Sequence, residues 1–146
     1  MQEFSSRCFA LIASVVFVLA LGGCAGSQGP RTNLPQLELQ RLEGGSWSLH
    51  DEAGQIVLLQ FFASFDNSSV GIAETLERIH TDFQHRGVKI IGIAMDPTTT
   101  HRRDEIVEAF CALNNITFEV VLASEALGEG STELGRIPTI PATVIF

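Results

Sequence analysis

Residues 57–69 read Val57-Leu58-Leu59-Gln60-Phe61-Phe62-Ala63-Ser64-Phe65-Asp66-Asn67-Ser68-Ser69. Six of the first seven residues are apolar and none favours a turn, which predicts a fully buried strand. Beyond that strand the chain becomes polar, and Asp66 stands directly before a helical pattern. An aspartate at that place is typical of a helix N-cap, because its carboxylate accepts hydrogen bonds from the free N–H groups of the first turn. The stretch therefore predicts a central strand that passes directly into a helix.

The chain after this stretch alternates between helical and strand-like patterns. The helix after Asp66 carries one apolar stripe, formed by Ile72, Leu76, Ile79 and Phe83. The other expected elements are a strand over 88–95, a helix over 106–113, a strand over 116–122, a weak helix or loop over 124–135 and a strand over 144–146. Strands that alternate with helices predict βαβ units and a largely parallel core sheet, so the expected fold class is α/β.

Residues 1–23 have the features of a bacterial lipoprotein signal peptide. Arg7 is the sole positive charge before an apolar run over 9–21, and Leu21-Gly22-Gly23-Cys24 matches the lipobox pattern. The motif implies cleavage before Cys24 and acyl chains on that residue, which would anchor the protein to a membrane of the cell envelope, outside the cytoplasm. The alternative is an ordinary signal peptide or an uncleaved anchor with a chance cysteine.

Two further regions follow the predicted leader. Residues 24–35 are rich in Gly, Ser, Pro and Asn, as a flexible tether would be. The expected folded domain spans residues 36–146 and begins with a β-hairpin. Apolar residues alternate with polar ones on both sides of the turn over 43–46, namely Leu37, Leu39, Trp47 and Leu49.

From about residue 34 to residue 146 the chain resembles the thioredoxin fold, most closely the TlpA/ResA-like membrane-anchored disulfide reductases. Phe62-Ala63-Ser64-Phe65 corresponds to the Trp-Ala-Ser-Trp step that precedes the Cys-x-x-Cys of that family. Ile140-Pro141-Ala142-Thr143 resembles the cis-proline loop that faces those cysteines. Gln60 stands where the family has a buried Asp or Asn, and here we expect it to satisfy a polar pocket under the helix. The resemblance implies a thioredoxin-like fold with an N-terminal β-hairpin and, in the family, thiol–disulfide exchange.

The chain departs from the family pattern at two places. Asp66 and Ser69 occupy the two Cys positions, and neither side chain can form a disulfide, so the dithiol reaction is excluded if these positions are the true equivalents. Family members also continue beyond the last strand into a further strand and a closing helix. The resemblance therefore predicts a degenerate active site in a C-terminally incomplete fold.

Other candidate reactive groups support no catalytic or metal site. Cys111 lies on the apolar flank of a predicted helix, where a buried thiol behaves as a small hydrophobe rather than as a peroxidatic thiol. His80 and His85 are five residues apart on a helix, so they do not converge on one metal ion. No histidine stands in a triad pattern that would activate Ser68 or Ser69. The turn over 101–103 is expected to be solvated. No cofactor is expected.

Charge and the missing dithiol restrict the function. The net charge of −8 with no basic run argues against a nucleic-acid partner. The first hypothesis is an accessory protein that binds a peptide or protein partner. The partner would pair with the backbone beside Pro141 and pack on an apolar surface of Phe65 and Ile140, with Phe62 nearby. Two alternatives remain: a thiol-disulfide oxidoreductase of the same family whose active cysteines lie elsewhere, and a non-functional remnant.

Overall fold

The apolar run after residue 55 forms the central strand of a mixed sheet. The computed structural model describes residues 33–146, and its strands are β1 Glu38–Arg41, β2 Ser46–Ser48, β3 Ile56–Phe62, β4 Val88–Ala94, β5 Glu119–Leu122 and β6 Ala142–Ile145. The helices are α1 Asn67–Phe83, α2 Arg103–Leu113 and α3 Glu125–Glu129, with short 3₁₀ turns at Leu49–Glu52 and Gln84–Arg86. The predicted α/β class is confirmed, and the predicted central strand is β3.

The six strands lie in the order β2-β1-β5-β4-β3-β6. Strands β3, β4 and β5 are parallel, as predicted, whereas β1 runs antiparallel to β5 and β6 runs antiparallel to β3. The parallel register pairs Phe62 with Ala94, and the antiparallel register pairs Phe61 with Ala142. The carboxyl ends of β3 and β4 and the start of β6 therefore meet at one edge of the sheet.

The predicted hairpin is formed by β1 and β2, whose register pairs Leu39 with Trp47. Its turn uses Gly44 and Gly45 at φ values of 97° and 85°, a left-handed region that glycine enters without steric cost. The indole of Trp47 is fully buried and donates a 3.0 Å hydrogen bond to the buried carboxylate of Glu52. The hairpin is thus part of the core and not an appendage.

Both faces of the sheet carry a buried apolar cluster. One face, which includes residues of the hairpin strands and of α3, comprises Leu37, Leu39, Trp47, Leu49, Val57, Leu59, Phe61, Ile91, Ile93, Val121, Ala123 and Leu127. The other face, beneath α1 and α2, comprises Phe62, Leu76, Ile90, Ala94, Val107, Phe110, Phe118, Val120 and Leu122. Burial on both faces explains why β3 and β4 read as nearly continuous apolar runs.

The strand predicted over 116–122 begins only at Glu119. The backbone N–H of Ile116 donates to Cys111 at the end of α2, and the N–H of Thr117 donates to the Glu77 carboxylate of α1. These hydrogen bonds replace ladder pairing, so the strand starts three residues late. The helix predicted over 106–113 begins earlier than expected, at Arg103.

The predicted leader over 1–23, with Cys24 and all but the last three residues of the predicted tether over 24–35, lies outside the described residues. Within residues 33–146, no helix has the length and apolar character needed to cross a membrane.

Candidate functional site

The chain turns sharply between the end of β3 and the start of α1. The N–H of Asp66 donates to the carbonyl of Ala63 at 3.1 Å, which closes a turn with Ser64 and Phe65 at its centre. Asp66 is the extended N-cap residue of α1, with φ −99° and ψ 117°. One oxygen of its carboxylate accepts the backbone N–H of Ser69 at 2.9 Å and the Ser69 hydroxyl at 2.8 Å. The predicted role of Asp66 as an N-cap is confirmed.

These hydrogen bonds determine the charge state of Asp66. The hydroxyl of Ser69 has the largest effect and lowers the pKa of the carboxyl below its ordinary 3.8. Partial burial opposes this shift, while the backbone N–H of Ser69 and groups of Ser68 add to it. Asp66 is therefore an ionised carboxylate at neutral pH that is engaged with the first turn of its own helix.

Ser69 is fully buried, and its hydroxyl donates to Asp66. A nucleophilic serine would instead donate to a base that can take its proton, and no histidine within residues 33–146 makes that contact. We call the turn between the end of β3 and the start of α1 the corner. Asp66 and Ser69 lie together at the corner, as the sequence pattern predicts. Their arrangement is that of a capped helix end.

The loop before β6 reaches the same edge of the sheet. The Ile140–Pro141 peptide bond is cis, in agreement with the resemblance of this segment to a cis-proline loop. Pro141 directly precedes Ala142, which pairs with Phe61, so the loop lies beside the end of β3. Phe65, at the corner, is 70% exposed, and Ile140 and Pro141 are half-buried. We call Phe65, Ile140 and Pro141, the residues predicted to bind a partner, the docking surface.

One hydrogen bond joins β3 and β6 near this loop, and a second one forms within β3. The hydroxyl of Thr143 donates to the Gln60 side-chain carbonyl at 2.6 Å, and the Gln60 amide donates to the backbone of Phe61 at 3.1 Å. Both ends of the buried Gln60 side chain thus have partners, as predicted for a residue that satisfies a polar pocket.

Phe62 does not contribute to the docking surface, contrary to the sequence interpretation. Its side chain is 3% exposed and stacks on Phe110 with ring centroids 5.2 Å apart. Alternation along β3 directs Phe62 to the α2 face, where it is part of the core. Of these two phenylalanines, only Phe65, which lies beyond the strand, is exposed.

The turn over 101–103 is also not fully solvated as predicted. Arg103 begins α2 with a half-buried side chain, whose guanidinium donates to the carbonyls of Ala94 and Ala123 at 2.9 Å each. These carbonyls lie at the ends of β4 and β5, so Arg103 joins the two strand ends. His101 and Arg102 are exposed, as expected.

A second acidic residue at this edge was missed in the sequence. Asp96 follows β4 and is 4% exposed, and its carboxylate accepts hydrogen bonds from the backbone N–H of Ser64 at 3.1 Å and from the Ser64 hydroxyl. A signal existed, because parallel strands end at the same edge and Asp96 follows β4 as Ser64 follows β3. The buried carboxylates among residues 33–146 are Glu52 and Asp96. Asp96 is the one that is hydrogen-bonded to Ser64, the residue before Phe65.

The remaining candidate groups lie away from the corner. Cys111 is half-buried on α2, and burial is the main cause that raises the pKa of its thiol to about 11, with Glu108 and Asp96 adding to the shift. A thiol so protonated at neutral pH is a weak nucleophile. His80 packs edge-on against Phe118, with 6.1 Å between ring centroids. No group of three or more potential metal ligands is present within the described part of the chain.

Comparison with known proteins gives a family match and a set of similar folds. A protein-family model described as the AhpC/TSA family matches residues 30–143. No curated protein matches the chain.

Similar solved structures include the thioredoxin domain of a thiol-disulfide oxidoreductase from Bacteroides vulgatus, with 21% identity, a TM-score of 0.63 and coverage of 82% of this chain and 81% of that chain. A thiol:disulfide interchange protein of the thioredoxin family from Chlorobium tepidum TLS has 19% identity, a TM-score of 0.63 and coverage of 82% and 80%. A thiol:disulfide interchange protein from Bacteroides sp. has 20% identity, a TM-score of 0.64 and coverage of 80% and 74%. At these identities the likeness shows the fold alone, and the predicted thioredoxin-like fold is confirmed.

Proposed function

We propose that this chain, which belongs to the AhpC/TSA family and has a thioredoxin-like fold, is an envelope-anchored binding protein without dithiol chemistry. Its partner is an extended apolar segment of another protein, held at the docking surface. The observation that carries the proposal is that an exposed aromatic residue, Phe65, directly precedes a helix start that contains Asp66 and Ser69.

The groups at the corner support the proposal that dithiol chemistry is absent. Thiol–disulfide exchange requires a thiolate that attacks sulfur and a second thiol that resolves the mixed disulfide. The side chains of Asp66 and Ser69 are hydrogen-bonded to each other and contain no sulfur. Cys111 lies in α2, far along the sequence from Asp66 and Ser69. The raised pKa of its thiol suppresses the thiolate. The corner therefore offers no pair of thiols for such an exchange.

Peptide binding is supported by the groups that remain available around the docking surface. The backbone N–H and C=O of Ile140 make no hydrogen bond within residues 33–146, and both can pair with an extended chain. Phe65 adds a large apolar contact that water now covers. Backbone pairing and an aromatic anchor together fit an extended segment with an apolar side chain.

The membrane part of the proposal rests on the sequence of the leader. Cleavage before Cys24 and acylation of that residue would leave a domain tethered to the membrane by residues 24–35. The partner would then be met in the envelope. Incorporation of a labelled fatty acid into the parent chain and not into a Cys24→Ser variant tests this anchor.

A second candidate function is thiol-disulfide exchange, which the names of the similar solved structures favour. Insulin-disulfide reduction separates the two candidates. The full chain, purified in detergent, is compared with an Asp66→Cys/Ser69→Cys double variant. We expect the variant alone to reduce insulin, because the two substitutions restore thiols at a helix N-terminus that stabilises a thiolate. Activity of the parent chain would contradict the proposal.

Binding is tested with alkylated insulin B chain, an extended probe that has no free thiol. Its fluorescein-labelled form is titrated with the full chain in detergent, and anisotropy reports the Kd. Phe65→Ser should weaken binding about tenfold, because the variant loses the apolar area that the phenyl ring buries with the probe. Leu113→Ser is the matched control, since Leu113 is 82% exposed at the end of α2 and away from the docking surface. Equal effects of the two variants would refute a specific site.

A further inference from the structure

We propose that Asp96 is a positioning residue for the docking surface: its buried carboxylate holds Ser64 so that the neighbouring Phe65 keeps its exposed, binding-competent orientation. This inference rests on the proposed function, and it adds a residue that lies 32 positions from Ser64 along the chain and does not touch the partner. Two hydrogen bonds from Ser64, one from its N–H and one from its hydroxyl, join the carboxylate of Asp96 to the corner.

The corner needs an external support because the sheet ends just before it. The last ladder bond between β3 and β4 is donated by Met95 to Phe62 at 2.7 Å. Ser64 lies beyond that bond, and the turn bond between Asp66 and Ala63 does not use its N–H. The carboxylate of Asp96 is the partner of that N–H. The backbone torsions at Ser64 set the direction of Phe65, so the carboxylate acts on the residue that directs the aromatic anchor.

The chain segment that carries Asp96 is anchored by Arg103 of α2. It follows the end of β4, where the guanidinium of Arg103 donates to Ala94. Burial has the largest effect on the pKa of Arg103 and lowers it, while the negative charges of Asp96 and Asp104 oppose that shift. The second hydrogen bond of Arg103, to Ala123, secures the same point against β5. Hydrogen bonds thus join α2 through Arg103 to the end of β4, and join Asp96, two residues further along the chain, to Ser64 beside Phe65.

A purely structural role for Asp96 makes a different prediction. A buried carboxylate that only stabilises the fold could be removed, and the chain that remains folded would bind as before. A positioning residue instead changes affinity within the folded population, because a corner that samples several orientations must be ordered when the partner binds. The two roles are therefore separated by Kd values measured where each variant is folded.

The experiment measures the Kd of labelled, alkylated insulin B chain for the full-length parent, Asp96→Ala, Asp96→Asn and Ser64→Ala. We expect Asp96→Ala to weaken binding at least about fivefold and Asp96→Asn to recover part of the loss, because its amide oxygen still accepts one hydrogen bond. Combining Asp96→Ala with Ser64→Ala should add little to either change, since both remove the same contact. If Asp96→Ala does not fold, Asp96→Asn and Ser64→Ala carry the same test at about twofold to threefold.

Val107→Ala is the matched control, because Val107 is a fully buried residue of α2 and its truncation should destabilise the fold without removing a hydrogen bond of the corner. Hydrogen exchange of the Ser64 amide adds a local readout that should accelerate in Asp96→Ala and not in Val107→Ala. Unchanged affinity in Asp96→Ala, or an equal loss in Val107→Ala, overturns the role of Asp96. A parent chain that does not bind the probe overturns the proposed function instead.

Discussion

A single side chain at the start of α1 explains much of what this corner can do. Asp66 accepts hydrogen bonds from the backbone N–H and the hydroxyl of Ser69. The carboxylate thus satisfies a backbone donor that a helix start leaves unpaired. A thiolate at the same place would be stabilised by the same donors, because a helix N-terminus favours any negative charge. The helix start is thus suited equally to a reactive sulfur and to an inert cap. The identity of the residue, and not the backbone around it, decides between the two.

Asp66→Ala should lower the thermal unfolding midpoint by about 4 °C at neutral pH, because the helix loses its N-cap. The pKa of Asp66 is lowered in the folded protein, so its contribution is complete above the ordinary value of 3.8 and is lost as the pH falls through the folded-state pKa. The difference between parent and variant should therefore disappear in strong acid. Calorimetry of both proteins over a series of pH values measures it.

Asp82→Ala is the control for this prediction, since Asp82 is exposed on the same helix far from its start. An equal loss in Asp82→Ala, or a difference that persists in strong acid, would contradict the capping role.

At the scale of the elements, the packing of α1 and α2 on the sheet depends on one small residue in β4. Gly92 lies between two buried aromatic rings, and a Cβ at this position would approach the side chains of Phe118 at 3.0 Å and Phe62 at 3.2 Å. The ring of Phe62 also stacks on Phe110 of α2. The glycine therefore leaves space for the side chains of Phe62 and Phe118 to pack on the central strands.

Gly92→Ala should destabilise the fold by about 1–3 kcal/mol, because the added methyl group overpacks a cluster that cannot shift freely. Gly71→Ala in α1 should have the opposite sign, a gain of about 0.5–1 kcal/mol, since alanine restricts the unfolded chain and favours a helix. A Cβ at Gly71 meets nothing within 4 Å. Urea denaturation of the two variants measures both free energies of unfolding, and a Gly92→Ala variant as stable as the parent would refute the packing argument.

At the scale of the whole molecule, the N-terminal hairpin and the parallel strands share one core. Trp47 and Leu39 of the hairpin lie in the same cluster as Leu59 and Phe61 of the central strand. Strand β1 also pairs with β5, so the hairpin extends the sheet as well as covering it. These contacts predict that the hairpin cannot separate without exposing the central strand to water.

Trp47 is the single tryptophan of the chain, so its fluorescence reports the hairpin alone. Unfolding in urea followed by this fluorescence should coincide with unfolding followed by far-UV circular dichroism, because hairpin and sheet form one cooperative unit. Leu39→Ala should lower both midpoints together and cost about 2–5 kcal/mol. A fluorescence transition that precedes the loss of secondary structure would show that the hairpin is a separate unit.

Much of this architecture was predictable from local patterns, because period and capping are properties of adjacent residues. The central strand, the capped helix after Asp66 and the hairpin turn at Gly44 follow from short stretches. The cis-proline loop at Pro141 was implied by the family resemblance. The absence of cysteine at positions 66 and 69 is likewise plain in the chain itself.

Tertiary structure alone decided which of these residues are exposed. Phe62 and Phe65 are equally apolar, yet the pleat of β3 buries the first against Phe110 and the turn exposes the second. Asp96 reaches Ser64 only because two parallel strands end side by side. Contacts of this kind join residues that are distant along the chain. Their partners depend on strand order and register, which no local pattern contains.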